Sequence, residues 1–78
     1  MDNRGWIRAE DKLPDNDDRV LVLASGEVNK YEILINAYML ATYCSDEGFI
    51  LDEFPMAENI IIEWWRPLPD MPEGVKAI

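Results

Sequence analysis

The chain has 78 residues, sixteen acids against seven bases, a formal net charge of −9, no histidine and one cysteine. That length makes a single domain, and a lone Cys44 excludes an internal disulfide. The charge argues against a surface that grips nucleic-acid backbones, where protein cations must replace counterions; it fits solubility, a basic protein partner, or imitation of a nucleic acid.

The composition also narrows the chemistry. A nucleophilic Cys44 would want a basic partner and there is no histidine, so Cys44 reads as a small buried hydrophobe in a strand. The chain shows no phosphate-binding loop and no cluster with metal-ligand spacing, and we expect no catalytic residue, no cofactor and no structural metal. No apolar run reaches about 18 residues, so no transmembrane helix is expected. Met1-Asp2-Asn3-Arg4 has no apolar core behind it and does not read as a signal peptide. The expectation is a cytoplasmic protein without membrane contact. For a mass of 9.0 kDa surface scaling gives a folded surface of about 4,900 Å². A core that small leaves little margin over chain entropy, so dimerisation would help.

In chain order, the polar Met1–Gly5 is expected to fray. Trp6-Ile7 followed by Arg8 reads as a short strand or an anchor. Ala9–Lys12 has room for one turn, and Leu13-Pro14 stops it because the residue before proline is pushed towards extended geometry. Asp15-Asn16-Asp17-Asp18 is a loop by composition. It is not a calcium loop: Arg19 and Val20 stand where an oxygen ligand and a glycine are needed. Val20–Ala24 is the clearest strand, apolar on both faces. Ser25-Gly26 is then predicted to turn, with Glu27–Lys30 leading away.

Tyr31–Cys44 fits two periods. As a helix it lines up Ile33, Leu34, Ala37, Tyr38 and Ala41. As a strand it alternates Ile33, Ile35, Ala37, Met39, Ala41 and Tyr43 with Glu32, Leu34, Asn36, Tyr38, Leu40 and Thr42. The isoleucines, threonine and tyrosines favour the strand, and its length predicts a bulge, placed at Asn36. Ser45–Gly48 is a hairpin turn, Phe49–Phe54 a strand ended by Pro55, and Met56–Asn59 a bridge. Ile60–Arg66 is the organising strand. Regular alternation puts Ile60, Ile62 and Trp64 on one face and Ile61, Glu63 and Trp65 on the other. Pro67 and Pro69 end it, and residues 70–78 read as extended or disordered. The fold class is therefore α+β or mainly β. We expect a small twisted antiparallel sheet of three to four strands with little helix, its central pairing between 20–24 and 60–66.

Trp6-Ile7, Asp11, Leu13-Pro14 and Val20-Leu21-Val22, taken with Trp65, Pro67-Leu68-Pro69 and Pro72, resemble the opening and closing signatures of the domain of unknown function 551 family. Between them, Ser25–Glu58 is similar only through Ala37-Tyr38 in a strand. The resemblance implies a compact β-rich domain of a kind that occurs in bacteriophages, prophages and gut bacteria, and it carries no activity over. Family members often have histidine where this chain has Trp64, and methionine where it has Arg66.

The candidate partner-binding residues are the carboxylates of two segments and one aromatic pair. They are Asp15, Asp17 and Asp18; Asp46, Glu47, Asp52 and Glu53; and Trp64 and Trp65, one of which should be exposed because strand neighbours face opposite sides. Glu63, inside the most apolar strand, is expected to face solvent or to pair with an arginine. The functional expectation is an acidic, non-enzymatic, phage-type protein-binding module without direct nucleic-acid binding. In its sharpest form it inhibits a host nucleic-acid-binding defence complex by mimicry, as anti-CRISPR and anti-restriction proteins do, and works in the host cytoplasm. The alternative is an accessory domain that only forms a homodimer.

Overall fold

The computed structural model describes residues 3–69 and 72–75; the expectations for 1–2, 70–71 and 76–78 lie outside them. The described residues form five strands and no helix: β1 (Ile7–Arg8), β2 (Arg19–Asn29), β3 (Glu32–Cys44), β4 (Gly48–Leu51) and β5 (Asn59–Pro67). All belong to one antiparallel sheet in the order β1-β5-β2-β3-β4. This corrects the expectation of three to four strands and of α+β as an open class. The fifth strand is Ile7–Arg8, two residues long, paired Ile7 to Trp65 and Arg8 to Trp64. The last four strands form a Greek key: β2, β3 and β4 follow one another, and β5 returns to lie beside β2.

The central pairing is β2 with β5, Val22 lying opposite Trp65. Val20, Val22 and Ala24 on β2, Ala41 on β3, Leu51 on β4 and Trp65 on β5 make the buried core. It lies on one face of the sheet, the inner face. The segment between β4 and β5 must span three strand spacings, about 14 Å, and Phe54 from that segment packs against the core. Cys44 is half-buried rather than fully enclosed.

Two bulges decide which side chains face inward. On β3 one extra residue sits between the pairs Ala24–Ala37 and Gly26–Leu34. Asn36 has φ +44 there, a left-handed conformation that asparagine tolerates, and its N–H donates to Ser25 Oγ at 2.9 Å. The bulge thus falls where the length of the strand placed it. On β5 the extra residue is Glu63, between the pairs Leu23–Trp64 and Ala24–Ile62. One added residue exchanges the two faces of everything beyond it. Strict alternation therefore fails on both strands. Ile60, Ile62 and Trp65 share the inner face while Ile61, Trp64 and Arg66 share the outer one. Leu34 turns inward, and Ile33 and Ile35 are left exposed at 67% and 80%. Glu63 is exposed, as one of its expected readings required.

The Ser25-Gly26 turn does not form; β2 continues through it to Asn29. Glycine is needed there for close approach: at φ +133, a Cβ on Gly26 would lie 2.1 Å from the Asn59 carbonyl oxygen of β5. The predicted strand at 49–54 ends at Leu51. Residues 3–5 are a turn rather than a frayed end, with the Trp6 N–H donating to the Asn3 carbonyl at 3.1 Å and Arg66 Nη1 to the Arg4 carbonyl at 3.0 Å.

Chemical denaturation tests this geometry at two glycines. Gly48 also has positive φ (+89), but its Cβ would meet open space, so Gly48→Ala should cost the left-handed penalty of about 1–2 kcal/mol. Gly26→Ala must in addition move the β5 backbone and should have the lower midpoint, or not fold. Equal midpoints would show that β2 and β5 do not approach as described. Ile62→Ala, at a half-buried inner position, should lower stability by about 2 kcal/mol or more.

Candidate acidic interface

The loop before β2 and the hairpin after β3 are distant in sequence and are joined in space. The Asp17 N–H donates to the Tyr43 carbonyl at 2.7 Å, and the Tyr43 N–H donates to the Asp18 carbonyl at 2.8 Å. These bonds carry the β2–β3 ladder one step past Arg19. The Ser45 N–H then donates to Asn16 Oδ1 at 2.8 Å, tying the turn to the loop directly. Asp17 has φ +70, a conformation aspartate accepts better than most residues. On the far side, Arg19 pairs with Asp52 at 2.7 Å, so the end of β4 is held to the start of β2.

One end of the sheet therefore collects Asp15, Asp17, Asp18, Asp46 and Glu47, while Asp52 and Glu53, at the other end of β4, adjoin it through the Arg19–Asp52 pair; all seven are exposed. The two acidic segments thus make one continuous acidic border. Thr42 Oγ1 donates to Asp52 Oδ1 at 3.5 Å, a contact at the limit of a hydrogen bond. With side chains 56% and 32% exposed, the Arg19–Asp52 pair contributes about 1 kcal/mol at most.

The two tryptophans part company. Trp65 is buried, 4% exposed, and its Nε1–H donates to the Lys12 carbonyl at 2.8 Å, so it is a core residue and not a surface contact. Trp64 is half-buried on the outer face, with the Arg8 guanidinium 5.1 Å from its ring centroid. Trp6 also lies on the outer face and not in the core. Its ring is 6.2 Å from Tyr38 and 5.7 Å from the Arg66 guanidinium. Trp64 lines a small hollow with Asn3, Trp6 and Leu23, away from the acidic end. The aromatic that does border the acidic end is Tyr38. A groove of about 390 Å³ runs between Arg19, Asp52 and Glu53 on one side and Leu21, Tyr38 and Leu40 on the other. The sequence reading settled on Trp64 and Trp65 as the aromatic contacts rather than on Tyr38, and did not include Leu40. The signal for them was present: both stand on the strand face opposite Met39 and Ala41.

The two signature regions at the ends of the chain meet in the structure. Leu13, Pro14 and Val20 from the opening block line one hollow with Trp65, Pro67 and Leu68 from the closing block. A family model described as "Protein of unknown function (DUF551)" matches residues 5–73. The chain belongs to that family. No curated protein and no solved structure matches it. The matched span includes all five strands, so the DUF551 unit in this chain is the whole sheet.

Crowding of carboxylates at one end has a measurable consequence. Like charges closer than the Debye length, about 8 Å at physiological ionic strength, raise the energy of the folded state. Adding sodium chloride at neutral pH should therefore raise the melting temperature of the wild type. The double variant Asp17→Asn with Asp46→Asn should melt higher than wild type at low salt and respond less to added salt. A wild-type melting temperature indifferent to salt would mean that the carboxylates do not interact.

Proposed function

We propose that the protein is a non-enzymatic binding module whose acidic end engages a basic surface of another protein. The observation that carries this reading is that hydrogen bonds at Tyr43 and Ser45 tie the Asp15–Asp18 loop to the hairpin bearing Asp46 and Glu47, while the Arg19–Asp52 pair brings Asp52 and Glu53 beside it. A partner's lysines and arginines meet such an end as a block, which speeds encounter and sets orientation. The groove beside it adds Tyr38 and Leu40, whose apolar and aromatic surface suits the centre of an interface. Arginine also stacks on aromatic faces, so Tyr38 next to carboxylates offers a basic channel the two features it meets on a nucleic acid, charge and a flat ring.

The sharp form of the proposal is mimicry: the acidic end occupies the nucleic-acid channel of a host defence complex, in the manner of anti-CRISPR or anti-restriction proteins. Immobilised protein exposed to host lysate should retain a protein that is released by salt and displaced by duplex DNA or by RNA. Asp15→Lys with Asp17→Lys, and separately Asp46→Lys with Glu47→Lys, should each weaken that capture at least tenfold, about 1.4 kcal/mol, because both pairs lie on the same end. Tyr38→Ala should weaken it without altering its salt dependence. Capture that survives both reversals at low salt, or that nucleic acid does not displace, would overturn the proposal.

A further inference from the structure

The longest strand is covered on one side only in part. β3 has thirteen residues and pairs with β2 along most of them, but β4 reaches only Ala41–Cys44, and one further bond runs from the Asp52 N–H to the Leu40 carbonyl. From Glu32 to Tyr38 no other described strand lies beside the outer edge of β3. An open strand edge is a template for pairing with another chain, and folded proteins usually blunt it with charge, proline or a covering loop. Here the run Ile33–Leu40 contains no charged residue and no proline. Apart from Asn36, its exposed side chains are apolar or aromatic: Ile33, Ile35 and Tyr38 are 67%, 80% and 73% exposed. The Asn36 bulge makes its bonds towards β2, through Ser25, and leaves the outer edge uncovered.

We infer that this edge pairs antiparallel with the same edge of a second copy, across a two-fold axis near Ile35, joining the two sheets into one. Two observations single out a second copy as the occupant. The edge is self-complementary: antiparallel pairing sets Ile33 and Ile35 of one copy beside Ile35 and Tyr38 of the other, apolar against apolar, as a two-fold interface requires. Charge permits it in one orientation only. The acidic end lies past Cys44, nine residues from the axis, so antiparallel pairing puts the two acidic ends on the order of 60 Å apart at about 3.3 Å per residue. Parallel pairing would set them side by side within a few Debye lengths. The dimer presents one acidic end at each extremity, so it has two sites for a basic partner. The inference does not depend on what those ends bind.

Sedimentation equilibrium over a wide concentration range tests it. Wild type should pass reversibly from 9.0 kDa to twice that mass as concentration rises. Ile35→Lys should hold it at the monomer mass. Ile61→Lys, a change at a 62% exposed outer-face position on β5, should leave association unchanged, and tryptophan emission, sensitive to the burial of Trp65, should report intact folding in both. Amide exchange on wild type gives a reading free of variants: N–H groups between Ile33 and Tyr38 should exchange at least tenfold more slowly at high concentration than at low. A wild type that stays monomeric throughout would overturn the inference. So would Ile35→Lys that still dimerises, Ile61→Lys that abolishes dimerisation, or edge amides indifferent to concentration.

Discussion

The fold depends on one side chain being held between the two ends of the chain. Trp65 contributes bulk to the inner face opposite Val22 and pairs through its backbone with Ile7. Its indole N–H, which needs an acceptor once buried, finds the Lys12 carbonyl at 2.8 Å. The first part of the connection between β1 and β2 is arranged around that bond. The turn at Arg8–Lys12, closed by the Lys12 N–H donating to the Arg8 carbonyl, aims the carbonyl. Buried Pro14 then redirects the chain into β2. Among the described residues a single sheet without helices has no second layer to bury its inner face, so closure falls to such loops and to Phe54. This also gives a physical reason for the two sequence signatures to occur together, since they are the two halves of one packed corner.

The pairing of β2 with β5 and the bulge at Asn36 were legible because they rest on local chemistry: apolar runs bounded by turn residues, and a strand too long to stay regular. The faces beyond each bulge were not. Alternation is a rule about neighbours, and one inserted residue reverses it for the rest of the strand. Glu63 shows the difficulty. It looked like a costly charge among isoleucines and tryptophans, and its position is explained by being the inserted residue. Because of it Trp65, and not Trp64, joins Ile60 and Ile62 in the core. Ser25-Gly26 failed for a related reason. Glycine signals a turn when it supplies a conformation, but here it supplies room for the Asn59 carbonyl, and only the neighbouring strand shows that.

The acidic end was half legible. Composition identified each acidic run, Asp15–Asp18, Asp46-Glu47 and Asp52-Glu53, because acids beside turn residues mark the ends of strands. That they are one surface follows from strand pairing at long range, through Tyr43 and Asn16, and no local pattern encodes it. The same pairing displaced the expected aromatic. Trp64 and Tyr38 both pair with Leu23, four residues along β2 from Arg19, but Tyr38 lies on the β4 side of β2, where it and Leu40 share a groove with Arg19 and Asp52.

Charge and apolar surface are thus separated along β3. Its Cys44 end carries the carboxylates, and its Glu32 end carries the uncovered isoleucines. Repulsion among the carboxylates weakens a domain whose core is already small, and the loss is tolerable only if it is confined to one end and offset elsewhere. The backbone bonds at Asp17 and Asp18 confine it, because they fix the loop while leaving the side chains in water, where screening is strongest. The free edge can offset it, since burying Ile33 and Ile35 recovers apolar surface that the single-layer sheet cannot cover by itself. At about 25 cal/mol per Å², even 200 Å² of such surface is worth about 5 kcal/mol before the cost of association, comparable with the whole stability of a small domain. The polarity of β3 lets both conditions hold in one strand, because the end that must stay in water and the end that gains by leaving it are set at opposite limits of its length.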